Sequence, residues 1–249
     1  LQLAINFRKN LLNMRMLFVG LLFSFLSITA VAQMKSATED LRGMMPGTGK
    51  IDYEKLVELF TDAIKQYPDK PSQYNNRAVA RYKLQDFTGA LTDLDKAIEL
   101  SPNYPNAHYN SGLIKLKQKN YAGAIEDFKL VMDIVPKDTN AYYNSALAKY
   151  YTGKKEEALS DLDKALKLSP GFEWALCNSG VIKNEMDKSE EAIQLLTKAI
   201  GINAKDGDYY NNRGQAYQKA GNANKACDDF KKGAELGSAK AAERAASCK

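Results

Sequence analysis

In this sequence of 249 residues the side chains able to do chemistry are few, and most recur at one interval. Histidine occurs once, at His108. No Ser/His/Asp set, metal-ligand spacing or Gly-rich phosphate loop accompanies it, so His108 reads as a packed helix-face residue. Carboxylates stand 34 residues apart at Asp93, Asp127 and Asp161, and again at Asp229. Acidic pairs drawn from such a series reflect repetition rather than acid–base work. Amides form a fuller series: Asn76, Asn110, Asn144, Asn178 and Asn212. An amide carries both donor and acceptor, which matches the main chain of an extended peptide. Asparagine also serves local structure, so both uses stay open. Arg77 and Arg213 each precede an aspartate by 16 residues, Asp93 and Asp229. An ion pair between neighbouring helices accounts for that spacing, with a ligand-binding role as the alternative. The chemistry on offer is recognition; no pattern supports catalysis, a cofactor or a bound metal.

What positions these residues is a repeat. Shifting by 34 carries Ala90 to Ala124, Ala158, Ala192 and Ala226, and Leu94 to Phe128, Leu162, Leu196 and Phe230. Each unit reads as two helices. Small residues (Ala78, Ala80) mark the first, and a polar break follows at Gln85-Asp86. In the second, Phe87, Ala90, Leu91, Leu94, Ala97 and Ile98 recur at spacings of three and four, the apolar face of a helix. Pro102, Pro136 and Pro170 then stop the chain, because proline cannot continue a helix. A fixed period held five times marks a repeat architecture, in which each unit buries its face against its neighbours.

This pattern resembles the tetratricopeptide repeat family. Family units carry a large residue at position 4, a small one at 8 and an aromatic at 17. Alanine stands at 20 and 27, a large residue at 24 and proline at 32. Counting from Pro71, the first unit supplies Tyr74, Ala78, Phe87, Ala90, Leu94, Ala97 and Pro102. The resemblance implies an all-α chain, a right-handed helix-turn-helix solenoid. Its units span 71–104, 105–138, 139–172, 173–206 and 207–240. A half-repeat helix over 51–70 precedes them, with Asp52 placed to cap a helix running to about Gln66. Gly237 and Ser238 provide a stop and a new cap before a closing helix over 241–249.

Upstream, MRMLFVGLLFSFLSITAVAQ from Met14 reads as a secretory signal. Arg15 supplies the charge, Leu17 to Ile28 the apolar stretch, and Ala30-Val31-Ala32 a cleavage site before Gln33. Residues 1–13 read as upstream sequence and 33–50 as a linker rich in glycine. An uncleaved membrane anchor is the competing reading, although the apolar stretch is short for a span. Export to a periplasmic or secreted location is therefore expected, in an oxidising compartment where disulfides persist. Cys227 lies ten residues before Gly237 and Cys248 eleven after it, so a helical hairpin about that turn brings them opposite each other. Cys177 is left as a small apolar filler. Net charge is +5 with no long basic run, which argues against a nucleic-acid partner.

In the family the first helices of successive units line a concave groove. Carried onto this chain, the resemblance places Tyr109, Tyr143, Tyr150, Tyr151 and Trp174 in its centre, with the five asparagines running through it. The rings equally suit packing between helices, so both placements stay open. The family's carboxylate clamp for chaperone C-termini needs Lys and Asn at two positions and Lys and Arg at two more. Here those hold Asn75, Val79, Asn140 and Asn144, so the clamp is absent. The expected function is an exported, non-enzymatic adaptor that binds a protein or peptide partner along its concave groove. The alternative is a structural subunit of a cell-envelope complex, docking through its convex face or its ends. Fold alone does not choose between them.

Overall fold

The structure, a computed structural model, describes residues 52–248. The stretches read above as upstream residues, signal peptide and linker lie outside the described residues. Among the described residues there are twelve α-helices and no strands. They are α1 (Tyr53–Gln66), α2 (Pro71–Lys83), α3 (Phe87–Leu100), α4 (Pro105–Lys117), α5 (Tyr121–Ile134) and α6 (Thr139–Tyr151). Then come α7 (Lys155–Leu168), α8 (Glu173–Glu185), α9 (Ser189–Ile202), α10 (Gly207–Lys219), α11 (Ala223–Glu235) and α12 (Ala239–Ala245). This is the all-α helical repeat expected of a solenoid. The chain forms two compact units, one ending at Ala141 and the other beginning at Tyr142.

The turns inside the repeats have one construction. Gln85, Lys119, Gly153, Asp187 and Gly221, 34 apart, all adopt positive φ, between 61° and 81°. That conformation ends a helix by letting the next N–H reach back five residues. Asp86 N donates to Arg81 O at 2.9 Å, and Asn120 N to Lys115 O at 2.8 Å. The same residues then start the next helix. Asp86 Oδ1 accepts from Gly89 N at 2.8 Å and Asn120 Oδ1 from Gly123 N at 3.2 Å, which satisfies an N–H that the helix leaves open. A two-residue stop-and-start of this kind forces consecutive helices antiparallel.

Between the paired helices the core is built from complementary volumes. In the first unit Ala78, Ala90, Leu94 and Ala97 pack together. In the second, Ala146, Ala158 and Leu162 form one cluster, and Leu176, Ala192, Leu196 and Ala199 another. Burying one such leucine contributes about 2 kcal/mol. Where a second helix carries Phe128 or Phe230, the first helix carries Gly112 or Gly214. An added Cβ would lie 2.8 Å from Phe128 Cε1, or 2.6 Å from Phe230 Cε1.

The recurring aspartates also belong to the core. Asp93 (2% exposed) is held by Arg77 through two bonds of 2.9 and 2.6 Å and by Arg81 at 2.9 Å. Asp127 pairs with Lys115 at 2.8 Å. Asp161 accepts from Lys149 at 2.5 Å and Ser145 at 2.7 Å. Asp229 is gripped by Arg213 at 2.8 Å through both oxygens. The fourth repeat has Leu195 in that place. Its Lys183 instead meets Glu191 at 2.7 Å, and the buried Ser179 hydroxyl has no partner.

At the ends, Asp52 caps α1 by accepting from Lys55 N at 3.1 Å. The closing helix, Ala239–Ala245, is short. Gly237 (φ 89°) breaks α11, and the Ser238 hydroxyl accepts from Ala241 N at 3.4 Å to cap α12. The chain turns again at Ala246, and Cys248 is joined by a disulfide to Cys227 on α11.

Candidate functional site

The first helices of the repeats, α2, α4, α6, α8 and α10, carry every residue expected in a groove. The asparagine series lies on them, but its amides are engaged within the stack. Asn110 Nδ2 donates to Asn75 Oδ1 at 2.8 Å, Asn178 Nδ2 to the Tyr143 hydroxyl at 2.9 Å, and Asn212 Nδ2 to Cys177 Sγ at 3.4 Å. Each bond spans 35 residues and ties one first helix to the preceding one. Asn76 and Asn144 are buried, 1% and 8% exposed. The expectation of a five-rung surface ladder is corrected for these two, because burial withholds them from a ligand. Asn212 Oδ1 already accepts from Asn211 Nδ2 at 3.2 Å. The carbonyl oxygens of Asn110 and Asn178 remain as amide groups to meet a partner.

The aromatic residues divide as well. Tyr109 is buried and stands edge-on to Phe128, with centroids 5.6 Å apart. Its expected place in the groove is therefore corrected to the core. In the second unit the rings come to the surface. Tyr143 packs against Phe172 at 4.9 Å and Trp174 at 6.5 Å, and Phe172 lies 5.9 Å from Trp174. Trp174 remains 44% exposed. One face of this three-ring cluster is therefore open to solvent. Tyr150 and the 59% exposed Tyr151 form a second pair, 5.5 Å apart. The Tyr150 hydroxyl donates to Glu185 at 2.6 Å. That bond, with burial, pushes its ionisation up to about 12. Tyr143 is also raised to about 12, chiefly by burial, against the opposing bond from Asn178. Phe172 was not anticipated. It precedes α8 and so falls outside any helical periodicity.

The remaining candidates are structural. His108 is buried and its Nε2–H donates to Pro102 O at 2.8 Å. Tyr74, one repeat earlier, does the same to Pro68 O at 3.0 Å. Arg77 and Arg213 each add a bond to a threonine of the preceding helix, Thr61 and Thr197, both at 3.1 Å. That is a repeated Thr–Arg–Asp link, and the structural alternative for these arginines is the one seen. Cys177 is a buried free thiol, pushed up to about 11 by burial. Among the described residues no His/Cys/Asp/Glu group could hold a metal ion, and no helix is long and apolar enough to cross a membrane.

Comparison with known proteins bears on this arrangement. Residues 105–138, 139–172, 175–206 and 207–236 match the family described as Tetratricopeptide repeat, and residues 80–119 match the description TPR repeat. Tetratricopeptide repeat protein 36 of Homo sapiens is 41% identical over 66 residues, 26% of this chain and 34% of that protein. A "Protein SGT1 homolog" of Oryza sativa subsp. japonica is 45% identical over 49 residues, 20% of this chain and 13% of that protein. The chain thus spans about a third or less of the length of these relatives. Among solved structures, YrrB, described as a TPR protein with an unusual peptide-binding site, superposes with a TM-score of 0.66. It is 21% identical and covers 76% of this chain and 98% of its own. MamA gives a TM-score of 0.63 at 24% identity, covering 69% of this chain and 94% of its own. These likenesses are of fold.

Proposed function

Because the chain belongs to the tetratricopeptide repeat family, we propose that it is an exported, non-catalytic adaptor holding a protein or peptide partner on the first-helix face of its second unit. One observation carries this reading: the Tyr143–Phe172–Trp174 cluster leaves a tryptophan 44% exposed on a rigid stack. Large aromatic rings fixed at a surface are the side chains most enriched among interface hot spots. The Asn178 carbonyl oxygen beside them can accept from a partner's backbone, a bond of about 1 kcal/mol net. Export is supported by the Ala30-Val31-Ala32 site and by the Cys227–Cys248 disulfide, which persists in oxidising compartments.

The test is capture of partners from an envelope extract by the parent chain and by Trp174→Ala. Because the ring is exposed, the variant should keep its melting temperature while partner affinity falls by about 2 kcal/mol or more. Unchanged capture by a folded variant would exclude this face. A second reading, docking of a structural subunit through the outer face, has its own observation. Leu168 on α7 and Ile202 on α9 stand at equivalent positions, 39% and 48% exposed. If that reading holds, Leu168→Lys with Ile202→Lys releases the partner and Trp174→Ala does not.

A further inference from the structure

The first two first-helices of the stack carry unbalanced positive charge. Neither α2 nor α4 contains an aspartate or glutamate. Three of their basic groups are committed to second helices: Arg77 and Arg81 meet Asp93, and Lys115 meets Asp127. Lys83 and Lys117, the last residues of α2 and α4, are exposed and have no ion-pair partner among the described residues. In the second compact unit the same helix position holds Glu185, paired with Lys155 at 2.9 Å, and Lys219, paired with Asp187 at 2.7 Å. Gln85 stands in the first repeat where Asp187 stands in the fourth. Lys117 therefore meets an amide position where Lys219 meets a carboxylate.

A shallow apolar pocket adjoins these two lysines. Val79 and Tyr82 of α2 and Leu113 of α4 line it over the buried Ala78, Leu94 and Ile114. Its volume is about 10 Å³, room for one water or one methyl group, and apolar walls suit the methyl group better. Asn110 also lines the pocket; its Nδ2 is given to Asn75, and its oxygen is left to accept. Tyr82 joins the pocket to the charge. Lys117 Nζ lies 5.2 Å from the centre of the Tyr82 ring and 5.1 Å from that of Phe87, and Lys83 Nζ lies 6.0 Å from Tyr82. An aromatic face holds an ammonium group in place but carries no net charge, so both cations stay without a counter-ion.

We propose that this face of the first unit docks an extended acidic segment of a partner protein. One small aliphatic side chain would enter the pocket beside Tyr82. A neighbouring side-chain carboxylate would meet Lys83 and Lys117, and the Asn110 oxygen would accept a backbone N–H of the segment. This surface is separate from the Trp174 face, which belongs to the second unit. The whole chain carries a net charge of +5 and attracts acidic peptides in general, so binding has to be traced to these two lysines.

The full chain is added to three fluorescently labelled peptides, blocked at both ends, of repeated Glu-Val-Ser, Gln-Val-Ser or Glu-Gly-Ser. Anisotropy reads binding. The expected result is saturable binding of the Glu-Val-Ser peptide, with the other two weaker. Its midpoint should rise several-fold between 50 and 300 mM salt as screening tightens. Lys83→Gln with Lys117→Gln should weaken it about threefold to tenfold. Lys129→Gln with Lys198→Gln removes the same charge from exposed positions on the second helices α5 and α9. That control should shift the midpoint by less than about twofold.

Equal binding of the Gln-Val-Ser peptide overturns the role of charge, and equal binding of the Glu-Gly-Ser peptide overturns the role of the pocket; either one sinks the proposal. So does unchanged affinity in a folded Lys83→Gln, Lys117→Gln protein, or an equal loss in the Lys129→Gln, Lys198→Gln control. No binding of the Glu-Val-Ser peptide at millimolar concentration overturns it as well. The adaptor reading is decided separately, by partner capture with Trp174→Ala.

Discussion

Replacing Gly112 by alanine tests whether the paired helices are matched by volume. In an open helix the change stabilises by about 1 kcal/mol, because alanine loses less backbone freedom than glycine. Here the new methyl group would sit 2.8, 2.9 and 3.2 Å from three atoms of the Phe128 ring. Carbon atoms prefer about 3.5–4.0 Å, and Phe128 is 0% exposed with Tyr109 against it, so the ring has nowhere to swing. Overpacking of this kind costs about 1–3 kcal/mol. Against the helix gain, the net loss should be about 0–2 kcal/mol. Phe128→Leu alone leaves a gap and should cost about 1–2 kcal/mol. Together the two changes reproduce the Ala78–Leu94 pair that the preceding repeat already uses. The double variant should then lose no more than about 1 kcal/mol, well short of the sum of the singles. Urea denaturation followed by helix signal, with slopes compared to detect a change in cooperativity, measures all four proteins. Losses that add to within about 0.5 kcal/mol would refute volume matching across this interface.

Three further outcomes follow from the same structure. Gln85→Gly and Asp187→Gly, at φ of 65° and 62°, should each raise the urea midpoint by the equivalent of about 1 kcal/mol, and Gly153→Ala should lower it by a similar amount. Reducing the Cys227–Cys248 bond reopens a loop of about 20 residues, worth about 3 kcal/mol in the chain-entropy model. Hydrogen exchange should then accelerate in α12 before any other helix, and unchanged protection there would refute the staple. Tyr143 and Tyr150 should ionise near pH 12, against about 10 in the unfolded chain. Folding therefore favours their protonated forms. That contribution is complete below about pH 10 and is lost as pH rises towards 12. Absorbance at high pH should show Tyr150→Phe removing one late-titrating phenol; removal of an early one would refute the Glu185 bond.

Period, helix pairing and family were legible in the residues themselves. Ala90, Leu94, Ala97 and their equivalents state a helical face five times over, and proline or Gly237 marks where a helix must stop. The 16-residue interval from Arg77 to Asp93 was visible too, because two antiparallel helices joined by a short turn bring those positions together. A periodicity finds a face but not what covers it. Tyr109 and Tyr143 occupy the same position in successive repeats; only the packed structure buries the first against Phe128 and joins the second to Phe172 and Trp174. The asparagines show the same limit. Their bonds run 35 residues back to whatever side chain the preceding first helix presents, Asn75, Tyr143 or Cys177. No rule of helix composition links such unlike acceptors. Positive φ at Gln85, Lys119 and Asp187 was hidden for a related reason. Glycine marks only two of the five turns, and elsewhere stacking of the helices holds ordinary residues in a conformation that they do not favour alone.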